Sequence, residues 1–224
     1  MNNYYSKKLH THSLKLCYEV ASPRVKQFLQ AEIDFVLEQL SSDDIVLDLG
    51  CGYGRVAKQL IEKADKVIGI DISEDNIKLA KDFVSNSPKC EFLQMDAANL
   101  SFPDNHFDIT VCVQNGVSAF KVDPTALLRE SIRVTKRGGK ILYSSYSDKF
   151  WDHRLEWFQQ QADKQLLGEI DMSQTKDGVI VCKDGFKAVT YSEQDFENLT
   201  SQFDIKAKII EVDQSSLFCV MEVI

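Results

Sequence analysis

The chain lacks an excess of positive charge. Its 26 Lys and Arg face 34 Asp and Glu, giving a formal net charge of −8 over 224 residues. Nucleic-acid binding calls for a basic stripe, so the expected partners include no nucleic acid, although a small basic groove can hide in an acidic total. No apolar run approaches the length of a membrane span, so no membrane partner is expected. The opening Met1-Asn2-Asn3-Tyr4-Tyr5 lacks the apolar core of a signal peptide, and the expected location is cytoplasmic. The cysteines (Cys17, Cys51, Cys90, Cys112, Cys182 and Cys219) include no C-x-x-C pair, and several fall in apolar strand-like runs. They read as reduced and mostly buried rather than as a disulfide or zinc framework. His10 and His12 are close in sequence but lie in a polar segment; His106 and His153 are isolated, and no metal site is expected. Internal repeats and low-complexity segments are also missing.

What is present is organised around Val46-Leu47-Asp48-Leu49-Gly50-Cys51-Gly52-Tyr53-Gly54-Arg55. Ile45, Val46, Leu47 and Leu49 make an apolar run of buried-strand type, interrupted only by Asp48. Three glycines at alternating positions follow, and then Val56, Ala57, Leu60 and Ile61 recur at helical spacing. The stretch therefore predicts a strand, a tight turn and a helix. In a parallel sheet such a turn lies at the carboxyl edge, where open α/β proteins bind ligands. The triphosphate-binding loop needs a lysine followed by serine or threonine, which is missing here. The dinucleotide fingerprint needs a third glycine at position 55, which is Arg55. An acid two residues before the glycines would repel a pyrophosphate and favour a ligand carrying an ammonium or a sulfonium. S-adenosylmethionine carries both and no phosphate.

At these residues the chain resembles the class I S-adenosylmethionine-dependent methyltransferases, whose first motif is this acid-x-G-x-G-x-G turn. The resemblance continues through Val67-Ile68-Gly69-Ile70-Asp71-Ile72-Ser73, Gln94-Met95-Asp96-Ala97, Phe107-Asp108-Ile109 and Arg133-Val134-Thr135-Lys136-Arg137-Gly138-Gly139. The last run is similar to that of the type 11 methyltransferase domains, with departures at Thr135 and Arg137. Ordered motifs over about residues 45–145 carry the likeness. The resemblance implies an α/β, Rossmann-like, mostly parallel seven-stranded sheet with helices on both faces, which an antiparallel C-terminal hairpin fits; over 146–192 the family pattern falls silent, and a cap insert after the fifth strand is read there from the residues themselves. The length suits one domain, read as an arm or flap over 1–22, a cofactor-binding core over 45–145 where the resemblance lies, a cap over 146–192, and a helix and hairpin over 193–224. The resemblance concerns the core. It implies S-adenosylmethionine as cofactor, bound by Asp48, Gly50, Cys51, Gly52, Arg55, Asp71, Ile72, Asp96, Ala97 and Gln114. Asp71, seventeen residues past Gly54, would accept from the ribose diol. Asp96 would meet the adenine amine, with the Ala97 N–H on the ring; as a helix N-cap it has a plainer explanation.

Along the rest of the chain, residues 1–22 form either a loose arm or a flap that brings Tyr4, Tyr5 or Tyr18 to the cofactor. Ser22-Pro23 opens a helix running to about Leu40. Ser73 caps a helix to about Val84. Cys90 to Gln94 and Phe107 to Gln114 are strands. Asp123-Pro124-Thr125 opens a helix that Arg137-Gly138-Gly139 ends, and Lys140 to Ser145 is the fifth strand. Past it, Tyr146, Phe150, Trp151, Trp157 and Phe158 crowd a polar stretch, and Asp184-Gly185 between Val179–Lys183 and Phe186–Thr190 reads as a hairpin. This cap either covers the active site, with its tryptophans as a ligand platform, or packs as ordinary core. Ser192 opens the next helix, and two antiparallel strands, Asp204 to Val212 and Ser216 to Ile224, close the chain.

The activity implied is methyl transfer to a small-molecule acceptor. A base is needed only if the nucleophile arrives protonated, so no catalytic residue is assigned. Asn115, Tyr146, Trp151 and His153 are the expected acceptor contacts, His153 being either a base or a surface histidine. His106 precedes the fourth strand and belongs at the wrong end of the sheet. Gln114-Asn115-Gly116 stands where amide- and base-directed amino methyltransferases carry Asn-Pro-Pro-Tyr. The rivals are a non-catalytic S-adenosylmethionine-binding or scaffold protein, a protein methyltransferase, and a nicotinamide oxidoreductase, which Arg55 and Asp48 disfavour.

Overall fold

A computed structural model describes residues 12–85 and 87–224. Before the sheet come α1 (His12–Glu19) and α2 (Pro23–Gln39). The Ser22 hydroxyl accepts from the Val25 N–H, and Pro23 costs the first turn nothing because its missing N–H would have no helical partner. Then β1 (Ile45–Leu49), α3 (Arg55–Leu60), β2 (Lys66–Asp71), α4 (Glu74–Phe83), β3 (Cys90–Gln94) and β4 (Phe107–Cys112) alternate. The short α5 (Gly116–Ala119), α6 (Pro124–Val134) and β5 (Thr135–Tyr146) follow. The cap holds α7 (Trp151–Asp163), β6 (Ile180–Val181) and β7 (Lys187–Ala188). Finally come α8 (Glu193–Thr200), β8 (Ile205–Val212) and β9 (Ser216–Val223).

The seven-stranded sheet has the order β3-β2-β1-β4-β5-β9-β8. β1 pairs in parallel with β2 and β4, β2 with β3, and β4 with β5; β9 runs antiparallel to both β5 and β8. Strand alternation sends successive residues to opposite faces. Val46 packs with Ile33, Val36, Ala57 and Ile77 from α2, α3 and α4, while Leu47 and Leu49 pack with Leu127, Leu128 and Phe196 from α6 and α8. Asp48 shares the Val46 face. A third cluster joins Cys17 of α1 and Val25, Phe28 and Leu29 of α2 to Tyr146, Phe150, Trp157, Ile180 and Phe186. The first turns of α2 thus pack on the cap and its later turns on the sheet.

Three boundaries differ from the sequence expectation. The sixth helix ends at Val134, before Arg137-Gly138-Gly139. Thr135 is already extended and paired with Phe107, its Oγ1 lying 2.8 Å from that of Thr110. The glycines instead serve a register shift that takes the pairing from Phe107 with Thr135 to Ile109 with Lys140, with Gly138 at φ +75°. The fourth strand stops at Cys112, because Gln114 and Asn115 are left-handed at φ 56° and 60°. The cap hairpin keeps Gly185 at φ +91°, but its strands shrink to Ile180–Val181 and Lys187–Ala188.

Candidate functional site

Parallel strands deliver their carboxyl ends to one edge, and a cavity of about 240 Å³ lies along it. That is many times the roughly 30 Å³ share of one water, so it is a ligand-sized hollow. Leu49 to Tyr53 line it past β1, Asp71 to Ser73 past β2, Met95 to Ala97 past β3, and Val113 to Gly116 past β4. Leu14, Cys17 and Tyr18 of α1 cover one side; Tyr146, Trp157, Phe158, Gln161, Leu167, Phe186 and Ala188 form the cap-side wall. Tyr4 and Tyr5 lie outside the described residues.

The glycine turn is bent by backbone that side chains avoid: Gly50 and Gly52 stand at φ +72° and +53°. A Cβ on Gly52 would point across the cavity mouth to within 3.0 Å of Leu14 Cδ2. The Gly52 N–H donates to Asp71 Oδ2 at 3.1 Å and the Ser73 N–H to Asp71 Oδ1 at 2.8 Å, so one carboxylate ties the first turn to the second. Burial raises the Asp71 pKa, opposed by those N–H donors and the Asn76 side chain. Ile72 is 55 % exposed at the cavity rim, an unusual place for an isoleucine. Asp96 is exposed and accepts from the Ala98 N–H at 2.9 Å, a turn of its own rather than a helix cap.

At the end of β4, Gln114 sits between the two halves of the cavity. Its N–H donates to Glu32 Oε2 at 3.1 Å and lies 2.9 Å from Ser144 Oγ; its Oε1 accepts from the Tyr18 hydroxyl at 2.8 Å. Asn115 bridges to the cap: Nδ2 donates to the Val189 carbonyl at 2.8 Å and Oδ1 accepts from Ser145 Oγ at 2.9 Å. These bonds hold two successive left-handed residues that would otherwise cost energy. Two buried donors, Arg55 Nη2 and Gln114 Nε2, have no hydrogen-bond partner among the described residues. The Arg55 guanidinium lies 5.1 Å from the Tyr18 ring centroid.

The sequence reading is thus sorted by the tertiary structure. Gly50, Cys51, Gly52, Arg55, Asp71, Ile72, Asp96, Ala97, Gln114, Asn115 and Tyr146 converge on the cavity. Asp48, Trp151 and His153 do not line it. Asp48 faces α3 under the turn, where burial pushes its carboxyl up to about 7 against the pull of Arg55. His153 is exposed on α7, and Trp151 packs against the cap cluster with the Arg154 guanidinium 5.8 Å from its ring centroid. The helical phase of α7 turns Trp157, Phe158 and Gln161 to the cavity instead.

The sequence reading missed Glu32, Gln161, Leu14 and Cys17. Glu32 is fully buried, and its Oε1 accepts from Ser216 Oγ at 2.7 Å. Burial pushes its carboxyl up to about 7, against the hydroxyls of Ser144 and Ser216 and the charge of Arg55. A signal was there: Glu32 interrupts the apolar face made by Phe28, Leu29, Ile33 and Val36.

The residues fit S-adenosylmethionine. The turn leaves room that a Cβ would take, Asp71 and Asp96 offer acceptors for hydroxyl and amine donors, and Arg55 and Gln114 hold donors with no acceptor among the described residues. Comparisons with known proteins agree. Residues 46–139 match the methyltransferase domain family. Over 159 residues the chain is 31 % identical to 2-methyl-6-phytyl-1,4-hydroquinone methyltransferase of Synechocystis, covering 66 % of this chain and 49 % of that protein. Over 109 residues it is 37 % identical to a ubiquinone/menaquinone biosynthesis C-methyltransferase of Pseudomonas fluorescens, covering 46 % of this chain and 41 % of the relative. The chain therefore spans about half the length, or less, of these curated relatives. Among solved structures, a Pyrococcus horikoshii protein superposes with TM-score 0.69 at 21 % identity over 100 % of both chains. The N-methyltransferase NodS of Bradyrhizobium japonicum, in complex with S-adenosyl-L-homocysteine, does so with TM-score 0.67 at 14 % identity, over 100 % of this chain and 99 % of that one. The strand order, the ordered motifs and the match over 46–139 make residues 46–139 a methyltransferase domain, in a chain that is similar to the class I S-adenosylmethionine-dependent methyltransferases.

Proposed function

We propose that this chain transfers a methyl group from S-adenosylmethionine to a small-molecule acceptor held between the strand ends and the cap, residues 146–192. One observation carries the reading: a single cavity runs from the glycine turn past Gln114 to the aromatic wall of the cap. In this reading the backbone of Gly50, Cys51 and Gly52 cradles the methionine part, and the orphan Arg55 Nη2 takes its carboxylate. Asp71 receives the ribose hydroxyls on lone pairs not used by Gly52 and Ser73, while Asp96 and Ala97 face the adenine rim. Bound S-adenosylmethionine supplies a methyl already activated by a sulfonium, with a neutral thioether as leaving group. The protein's work is then alignment and exclusion of water. Gln114, locked by Glu32, Ser144 and Tyr18, fixes the floor between donor and acceptor. Leu14, Cys17 and Trp157 close the space above it; the Trp157 Nε1–H donates to the Cys17 carbonyl at 2.8 Å, joining arm to cap.

The relatives named for hydroquinone and quinone substrates support a small acceptor. Calorimetry with S-adenosylmethionine and its demethylated product tests the cofactor half. Transfer of labelled methyl into the small-molecule fraction of a cell extract tests the reaction. Absence of cofactor binding overturns the reading; binding with no transfer into any fraction favours a non-catalytic scaffold; label in protein favours a protein methyltransferase.

A further inference from the structure

The two halves of the cavity differ in charge. Among the described lining residues the charged side chains are Arg55, which opens α3, and Asp71 and Asp96 at or just past the ends of β2 and β3. The cap side offers Tyr146, Trp157, Phe158, Gln161, Leu167 and Phe186, none of them charged. Behind that wall lies Arg154, fully buried in α7. Its guanidinium carbon is 4.6 Å from the Tyr146 ring centroid and 5.4 Å from that of Phe158, and Nη1 donates to the Gly178 carbonyl at 2.8 Å.

Resting on the methyl-transfer reading, we infer that the acceptor is a neutral aromatic molecule and that Arg154 makes the chamber reject cationic amines. A cation entering the chamber leaves water and needs a compensating partner. Aromatic faces can supply one, but the guanidinium close to Tyr146 and Phe158 offsets the attraction that these two rings would offer a second cation. Of the other cap-side rings, Trp157 packs edge-on to Phe158, with its N–H on the Cys17 carbonyl. A second positive charge would also sit one ring away from the first, in surroundings of low dielectric where repulsion is weakly screened. A flat neutral ring meets none of these costs and gains apolar contact from the cap-side wall. Gln161 offers such a molecule one polar handle.

The test is a matched pair on the full chain saturated with S-adenosyl-L-homocysteine: 1-naphthylmethanol against 1-naphthylmethylamine, which is an ammonium at neutral pH. Calorimetry should show the alcohol binding at least about tenfold tighter. Arg154→Met should bring the two within about threefold, whereas Arg154→Lys, which keeps the charge, should preserve the ratio. Equal affinities in the wild type, preference for the amine, or no binding of either overturns the inference, and needs no variant to fold. A full ratio retained in a folded Arg154→Met overturns the assignment to Arg154. Binding of S-adenosyl-L-homocysteine, measured first on the same sample, separates the outcomes: its loss sinks the methyltransferase reading, while its presence with a ratio of one sinks only this inference.

Discussion

The two halves of the cavity are built by different means. On the cofactor side, consecutive strand ends supply backbone and a few carboxylates, and the ladder of parallel pairs fixes their spacing. On the cap side, side chains arrive from segments far apart in sequence: Cys17 from α1, Trp157 and Phe158 from α7, Phe186 from the loop before β7. A backbone-built half tolerates changes of side chain so long as the turn keeps its shape. A side-chain-built half can be re-cut for a new ligand without disturbing the sheet. In the methyl-transfer reading proposed above, cofactor chemistry is assigned to the first half and acceptor choice to the second.

This contrast can be broken most severely at the turn. Gly52→Val places a branched side chain at φ +53° and towards Leu14, and should cost about 3 kcal/mol or more of cofactor affinity, read by calorimetry. Wild-type affinity in a folded variant would remove the turn from the site. Next is Asp71→Ala, expected to lose about 1.5–3 kcal/mol. Because Asp71 also holds the Gly52 N–H, an analogue without ribose hydroxyls should still lose part of that affinity. If the analogue is wholly indifferent to the substitution, the carboxylate does not organise the turn.

A paired substitution sharpens the cap side. Trp157→Ala should raise the acceptor KM by about tenfold and leave cofactor affinity within about twofold. Trp151→Ala, off the cavity, should lower the melting temperature and leave KM near wild type. Steady-state kinetics on both variants decides; reversed effects would move the acceptor site to the other face of α7.

The smallest effect concerns Glu32, which stands where α2 passes from cap to sheet. Its folded pKa, about 7, lies above the ordinary 4.5, so the folded state binds the extra proton between those values. Stability is therefore greatest below pH 4.5 as far as this group is concerned, and declines as pH rises towards 7. Asp48, also raised to about 7, adds a decline of the same sign. Glu32→Gln should flatten the slope between about pH 5 and 7 by on the order of 1 kcal/mol per pH unit, seen in urea midpoints. An unchanged slope would mean that the ionised carboxylate is well accommodated beside Arg55.

Much of the cofactor side was legible in advance, because its signals are local. Glycines at alternating positions require a turn, apolar runs of five or six residues between turn signals require strands, and Asp71 and Asp96 follow those strands directly. Ser22, Ser73, Asp123 and Ser192 all cap the helices they precede. The likeness to a known family added the cofactor, which spacing alone left among several ligands. Asp48 shows what local reading leaves open: an acid beside the glycines is in the right place along the chain, and strand alternation places it under the sheet edge, off the cavity lining.

By itself, then, the sequence determined the order of strands and helices, the glycine turn and its neighbouring acids, since each depends on backbone preference or on apolar periodicity within a few residues. The tertiary structure alone decided the rest. The left-handed Gln114-Asn115 step is held open by Glu32, Ser144 and Ser145, from 30 to 82 residues away in the chain. Which aromatic of the cap lines the cavity depends on the rotation of α7 against α2 and the hairpin: Trp157 rather than Trp151 faces inward, and Arg154 is buried behind the wall. Such choices have no local energetic signature, because an aromatic or an arginine is equally at home on either face of a short amphipathic helix until the other elements pack against it.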